Sequence, residues 1–159
     1  MFVGEQPGNK EDLEGEPFVG PAGSILRKAL SEAKINLSEI YITNAVKHFK
    51  WIKRGKARIH QKPTIIEIRA CSPWLEAEIK VIKPKIIVCL GASAASALVG
   101  SQARIGRDRG KPISSSHAKA IFITAHPASV LRAPIDLRKK AMDQLISDLK
   151  KIKKYLLES

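Results

Sequence analysis

The sequence predicts a three-layer α/β fold in which helices cover both faces of a central four-stranded parallel sheet. Apolar and β-branched runs alternate along the chain with segments whose apolar residues recur at helical spacing. The segment 85–91, KIIVCLG, is apolar at nearly every position, which is typical of a strand buried on both faces. Because strands that alternate with helices form parallel sheets covered on both sides, these observations together predict the fold class.

The predicted strands are short runs of apolar and β-branched residues. They lie at 2–4, 40–43, 85–91 and 120–125. The first is followed by an acidic, glycine-containing stretch at 4–12 that is typical of a tight turn, and the second ends at Asn44. The basic stretch 104–116 is predicted to be a loop, with a short extended piece at 112–113.

The predicted helices follow the spacing of their apolar residues. They lie at 22–33, 64–81, 92–99 and 135–157. Pro63 stands near the first position of the second helix, where proline is favoured. Pro73 is expected to kink or split that helix, and Trp74 is expected to pack with its apolar face.

Residues 47–63, KHFKWIKRGKARIHQKP, form a basic segment with seven Lys or Arg residues and no acid. The segment has no clean helical or strand period, so it is predicted to be a long loop. Loops of this length in compact domains are usually functional or disordered. Positive charge with interleaved aromatic residues, here Phe49 and Trp51, suits a polyanion with stackable bases. The alternative is a solvated basic loop.

Composition favours an anionic partner. The chain has 28 Lys and Arg against 15 Asp and Glu, a net charge of +13, which favours nucleic acid or another anionic surface. No apolar run approaches the roughly 20 residues of a membrane span, so no membrane partner is expected. Two cysteines do not make a disulfide framework, and the first residues lack a signal-peptide pattern. We expect one monomeric domain over residues 1–159, located in the cytoplasm and associated with the nucleoid.

The segments that follow the predicted strands are rich in polar and special residues. They are GEQPG, Asn44 with the basic segment, GASA, and HPASVLR. In parallel α/β sheets the ligand crevice lies outside the carboxyl ends of the strands. The sequence therefore predicts one composite site at that edge.

Taken together, these segments resemble the uracil-DNA glycosylase superfamily. The resemblance rests on GEQPG at 4–8, ED and GEPFVG between 11 and 20, YITN at 41–44, and HPASVLR at 126–132, and it covers nearly the whole chain. This combination is similar to the iron–sulfur, family 4-like branch. Gln6 together with KARIH at 56–60 resembles the UdgX class, whose members excise uracil and stay covalently attached to DNA through the loop histidine. Ala57 departs from that class, which usually has another basic residue there.

The resemblance implies a role for each site residue. Breaking the N-glycosidic bond requires flipping the base and stabilising charge on the sugar and on the departing base. Phe18 would stack on uracil, Asn44 would read N3–H and O4, and His126 would donate to O2. Glu5 would orient His60 and take its proton, while His60 attacks C1′. The alternatives are a core aromatic for Phe18, a turn-forming Asn44, a structural His126 and a phosphate-contacting His60.

Four further residues are expected to support the site. Gln6 would either shape the base pocket or bind the loop. Arg58 would hold the loop against the site or against DNA. Ser129 and Arg132 would bind backbone phosphates, as would the loop lysines.

The family branch also implies a [4Fe–4S] cluster, which normally takes four protein ligands. His48 and Cys71 match the third and fourth ligands. Met1 stands three residues before Gly4, so the upstream cysteine pair of the branch has no counterpart, and we expect that the chain lacks that N-terminal segment. Two ligands cannot hold a cluster securely, so either the chain lacks that upstream part of a longer protein or the cluster is lost. The alternative for Cys71 is a core residue of its helix.

The resemblance implies a DNA repair-type uracil-DNA glycosylase that acts on uracil-containing DNA, single- or double-stranded, and ends as a histidine–DNA adduct. Two other interpretations stay open. One is a turnover glycosylase in which water attacks and His60 only binds DNA. The other is a non-catalytic nucleic-acid-binding module.

Overall fold

The computed structural model describes residues 1–159 and contains a four-stranded sheet and a separate hairpin. The sheet consists of β1 (Phe2–Gly4), β2 (Ile42–Asn44), β5 (Ile86–Leu90) and β6 (Ala120–Thr124), all parallel, in the order β2-β1-β5-β6. The hairpin pairs β3 (Trp51–Arg54) with β4 (Ala57–His60).

Seven α-helices connect and cover the strands. They are α1 (Asn9–Glu14), α2 (Pro21–Glu32), α3 (Ile65–Ile82), α4 (Ala92–Leu98), α5 (Ile105–Asp108), α6 (Pro127–Arg132) and α7 (Ile135–Glu158). A short 3₁₀ turn at Leu37–Glu39 precedes β2. None of the helices combines the length and the apolar character that crossing a bilayer requires.

Two apolar layers separate the sheet from its helices. Along β5, alternate side chains point to opposite faces, so Val88 belongs to one layer and Cys89 to the other. The first layer packs against α2 and α7, and the second against α3 and α4. All five residues of β5 are buried, as are all five of β6. The predicted three-layer α/β fold with a four-stranded parallel sheet is therefore confirmed.

Helix α3 differs from its prediction at Pro73. Thr64 caps its first turn in a reciprocal arrangement with Glu67, which fixes where the helix begins. The helix then runs without interruption across Pro73, so the expected split is wrong, while the expected kink stays a prediction. Pro73 and Arg69 are both exposed, and water can bond the Arg69 carbonyl that loses its helical donor.

The expected packing of Trp74 is also wrong, since the residue is 68% exposed. The buried stripe of α3 consists of Ile68, Cys71, Leu75 and Ile79. Trp74 precedes Leu75 by one position, which turns its side chain by about 100° away from that stripe.

The basic segment is a β-hairpin rather than a loop. Trp51 pairs with His60 and Lys53 with Arg58 across the two strands, and Gly55 takes a positive φ of 59° in the tight turn. Most residues of both strands are exposed. Without a buried face, nothing imposes the apolar alternation by which strands are recognised, so the hairpin had no periodic signal. The short helices α1, α5 and α6 were also not predicted.

Candidate active site

The candidate site residues lie at the predicted edge of the sheet. Glu5 directly follows β1, Asn44 ends β2, Ser93 lies just after β5, and His126 lies just after β6. Because the strands are parallel, their carboxyl ends meet at one edge. The hairpin brings His60 to the same place from the chain between β2 and α3.

Glu5 and His60 contact each other directly. The His60 ring nitrogen Nε2 lies 2.9 Å from Glu5 Oε1. The second carboxylate oxygen, Oε2, accepts a hydrogen bond of 2.5 Å from the Ser93 hydroxyl. The Glu5 side chain is 20% exposed and that of His60 is 50% exposed, so both can be reached from solvent. The pair therefore combines a carboxylate with a half-exposed histidine.

Gln6 ties both ends of the hairpin to the strand edge. Its Nε2 donates to the carbonyl oxygens of Lys50 and Gln61 at 3.2 and 3.1 Å. Its Oε1 accepts from the Lys50 amide at 3.3 Å. Of the two roles expected for Gln6, this geometry corresponds to binding the loop. Since Gln6 follows Glu5 in the chain, these three hydrogen bonds hold the hairpin beside the Glu5 carboxylate.

Arg58 holds the hairpin against α1. Its Nε donates to Asn9 Oδ1 at 2.7 Å, and its Nη1 lies 2.6 Å from Asp12 Oδ2. The guanidinium also lies over the rings of Phe49 and Trp51, at 5.1 and 5.4 Å from their centroids. Arg58 was expected to hold the loop either against the site or against DNA. Its donors are directed at Asn9 and Asp12, so in this structure it holds the hairpin against the protein.

Gly4 separates two residues that the sequence assigned to the base pocket. A Cβ at Gly4 would lie 2.5 Å from Asn44 Oδ1 and 2.6 Å from Phe18 Cζ, so a larger residue there would force one of these side chains to move. Asn44 is 6% exposed, and its Oδ1 has no hydrogen-bond partner. A buried acceptor without a donor is costly, and a ligand N–H would satisfy it. Asn44 is therefore placed to receive a planar polar group.

Phe18 is held in an unusual backbone conformation. Its φ is 54°, in the left-handed region that costs a non-glycine residue about 1–2 kcal/mol. The Phe18 carbonyl accepts from Arg27 Nη1 at 2.7 Å, and a side chain at Gly23 would collide with it. The Phe18 ring stacks on the His126 ring, with centroids 5.8 Å apart and planes 28° apart. Phe18 is also part of the apolar core, as its alternative role requires, while its stacking on uracil stays a prediction.

His126 is a neutral donor with a defined tautomer. Its Nδ1 accepts from the Ala128 amide at 3.1 Å and thereby caps α6, so the ring proton resides on Nε2. Burial lowers the pKa of His126 from 6.5 to about 4, although the charge of Glu5 acts in the opposite direction. Gly91 has a φ of 94°, and a Cβ there would lie 3.0 Å from His126 Cβ, so this glycine allows the close approach.

The two residues expected to bind phosphate lie on α6. The Ser129 hydroxyl donates to the His126 carbonyl at 2.7 Å, which completes the first turn of the helix. Arg132 is exposed, and its positive charge contributes to the lowered pKa of His126. Arg132 therefore offers a free cation next to the site.

Two groups of supporting residues were missed in the sequence. Lys47 Nζ donates to Thr43 Oγ1, to the Asn44 carbonyl and to Glu78 Oε2, at 2.8, 2.7 and 2.6 Å, and so holds the end of β2. Ser93 binds Glu5. Ser93 belongs to the GASA segment that the edge rule had already singled out, whereas nothing local links Lys47 to Glu78.

The residues expected to ligate iron do not form a cluster site. Cys71 Sγ lies 3.8 Å from His48 Nδ1 and accepts from the Lys47 amide at 3.4 Å. Cys71 is buried and packs with Val46 and Ile68, as a core residue does. Nowhere in residues 1–159 do three or more His, Cys, Asp or Glu side chains come together as a metal site. These residues do not fit a cluster that needs four ligands, and no step below depends on iron.

Comparison of the sequence with known proteins finds several relatives. Residues 1–150 match the family model described as the uracil DNA glycosylase superfamily. The type-4 uracil-DNA glycosylase of Thermotoga maritima is 37% identical over 98% of this chain and 77% of its own length. Proteins of the same name from Pyrobaculum aerophilum and Archaeoglobus fulgidus are 38% and 35% identical. They are matched over 84% and 96% of this chain and over 68% and 74% of their own lengths.

Proposed function

Since the chain belongs to the uracil-DNA glycosylase superfamily, we propose that it excises uracil from DNA and stays attached to the DNA through His60. The superfamily and its type-4 branch agree with the resemblance seen in the sequence, while the UdgX class stays a prediction. The observation that carries the proposal is the 2.9 Å contact between His60 and Glu5. It supports the proposal because the proposed nucleophile and its proposed base lie together at the carboxyl edge of the sheet.

The proposed site selects uracil through the amide of Asn44. Its unpartnered Oδ1 accepts from N3–H of uracil, and its Nδ2 donates to O4. Cytosine presents an acceptor at N3 and a donor at its amino group, so both bonds would be lost. Phe18 stacks on the flipped base.

His126 stabilises the departing base in this proposal. Its Nε2–H donates to uracil O2, where negative charge develops as the glycosidic bond breaks. Because the pKa of His126 is about 4, the ring is neutral at physiological pH and donates a hydrogen bond without transferring its proton. The carboxylate of Glu5 offsets positive charge on the sugar.

The covalent step exchanges one bond at C1′ and is accompanied by two proton transfers. A ring-nitrogen lone pair of His60 attacks C1′, and the C1′–N1 bond breaks with its electron pair leaving on uracil. The imidazole N–H proton passes to Glu5, and the uracil anion takes a proton from solvent. The products are free uracil and DNA joined to His60. An alkylated imidazole is a poor leaving group, so the adduct persists.

The DNA backbone would be held by basic residues around the site. Lys53, Arg54 and Lys56 are exposed at the hairpin tip, and Arg132 is exposed on α6. With a net charge of +13, phosphate contacts would supply a salt-dependent share of the affinity. Ser129 would add a polar contact. The proposed substrate places the enzyme with the nucleoid in the cytoplasm.

Hydrolytic turnover is the second candidate. The matched relatives carry the name type-4 uracil-DNA glycosylase, and the half-exposed His60 leaves room for water beside Glu5. In that case Glu5 would activate the water, and His60 would only contact the DNA.

Denaturing electrophoresis with uracil-containing single-stranded and duplex DNA tests the proposal. The wild type should form an adduct that survives SDS, and thymine-containing DNA should give none. His60→Ser should abolish the adduct, because serine has no basic nitrogen, and free uracil can appear in its place. His117→Ser, a histidine paired with Glu76 instead, serves as the matched control.

Each other outcome identifies a different interpretation. Free uracil from the wild type without an adduct would support turnover. If the wild type gives neither free uracil nor an adduct, the result would support a nucleic-acid-binding module. An adduct at full yield in His60→Ser would mean that another residue is the nucleophile.

A further inference from the structure

Ser93 is a buried polar residue that the reaction described above does not use. It lies in the first turn of α4 and is 3% exposed. Its hydroxyl donates to Glu5 Oε2 at 2.5 Å, at the short end of the range for a hydroxyl bonded to a carboxylate. A buried hydroxyl needs a partner, and Ser93 has a charged one.

The bond to Ser93 restricts the orientation of the carboxylate. The terminal torsion of a glutamate is broad and roughly two-fold, so an unbound carboxylate turns easily. Here each oxygen of Glu5 has its own partner, Ser93 on Oε2 and His60 on Oε1. Removing the first partner frees the carboxylate to turn away from the second.

Packing fixes Ser93 in place. The neighbouring Ala94 and Ala95 are buried in the core between α4 and the sheet, which sets the rotation of the helix. Gly91 lets the same segment approach His126 closely. One rigid segment therefore contacts both His126 and Glu5.

We propose that Ser93 is a positioning residue that holds the Glu5 carboxylate with Oε1 toward the attacking group. This role rests on the proposed function, and it applies whether His60 or water attacks. Ser93 contacts neither the base nor the sugar in this proposal and acts only through Glu5. Its loss should therefore slow the chemical step and leave the affinity for DNA unchanged.

The test measures single-turnover uracil release, adduct yield and DNA affinity for three variants. Ser93→Ala should slow release by about 10- to 100-fold, the scale expected when a reacting group shifts by about 1 Å. Ser93→Thr keeps the hydroxyl and should recover most of the rate; Ser93 lines a cavity of about 280 Å³. Ser96→Ala, on the same helix and lining the same cavity, is the matched control.

A double-mutant cycle separates positioning from general damage. In a Glu5→Gln background, Ser93→Ala should have little further effect on the residual rate, because the carboxylate it orients is already gone. Equal additional slowing in that background would overturn the proposal, as would a full rate in Ser93→Ala or no recovery in Ser93→Thr. Absence of any uracil release or adduct in the wild type would instead remove the proposed function, and this role with it.

Discussion

Gly4→Ala is the substitution whose effect follows most directly from the geometry. The added Cβ would lie 2.5 Å from Asn44 Oδ1 and 2.6 Å from Phe18 Cζ, where ordinary contacts begin near 3.4 Å. One or both side chains must therefore move by roughly 1 Å, a displacement that can cost about 10²-fold in rate. Gly4 lies in β1 between β2 and β5, so the backbone has little room to yield.

We expect Gly4→Ala to reduce single-turnover uracil release by about 10²-fold. Overpacking should also destabilise the fold by about 1–3 kcal/mol, measured by urea unfolding. Gly106→Ala is the matched control, because a Cβ there meets nothing within 4 Å and the residue lies in a short helix. A folded Gly4→Ala protein that releases uracil at the wild-type rate would refute the placement of the base between Phe18 and Asn44.

Three further predictions concern selection, pH and iron. Asn44→Asp should raise the activation free energy of uracil release by about a few kcal/mol, because aspartate cannot donate to O4. Asn36→Asp is the control and should leave the rate unchanged. An unchanged rate in Asn44→Asp would remove Asn44 from the pocket. Because the pKa of His126 falls from 6.5 to about 4 on folding, the unfolded chain binds more protons between these values. The unfolding free energy should therefore decrease as pH falls from 6.5 toward 4, by at most about 1.4 kcal/mol per unit from this group. His126→Asn should show a flatter pH dependence in the same unfolding assay, and an equal slope would contradict the assignment. The 159-residue chain should purify without a stable cluster, since His48 and Cys71 offer two ligands; roughly four irons per chain would contradict this.

Local signals in the sequence predicted the sheet and the main helices. Residues 85–91 are apolar at nearly every position because β5 is buried on both faces. Helix α3 begins where Thr64 and Glu67 form their capping box, and its stripe of buried residues has helical spacing. In these elements the burial pattern and the backbone period agree. Where an element lacks a buried face, as in the exposed hairpin, the same reasoning had nothing to detect.

The sequence by itself determined at which edge of the fold the candidate site residues meet. The parallel arrangement follows from alternating strands and helices, and it brings the segments after β1, β2, β5 and β6 together. Polar residues in those segments were therefore recognisable as one group without any coordinates. The edge rule included the basic segment, whereas the choice of His60 within that segment came from the family resemblance.

Only the tertiary structure decided which atoms meet within that group. The Ser93–Glu5 bond joins residues 88 positions apart, and the Lys47–Glu78 bond joins residues 31 apart. The structure also directs Gln6 to the hairpin and Arg58 to α1, although the sequence left both roles open. Such contacts depend on side-chain directions at the ends of packed elements, which no local period or propensity encodes. The sequence specifies which residue types the candidate site contains, but packing around a shared core decides which of them contact each other.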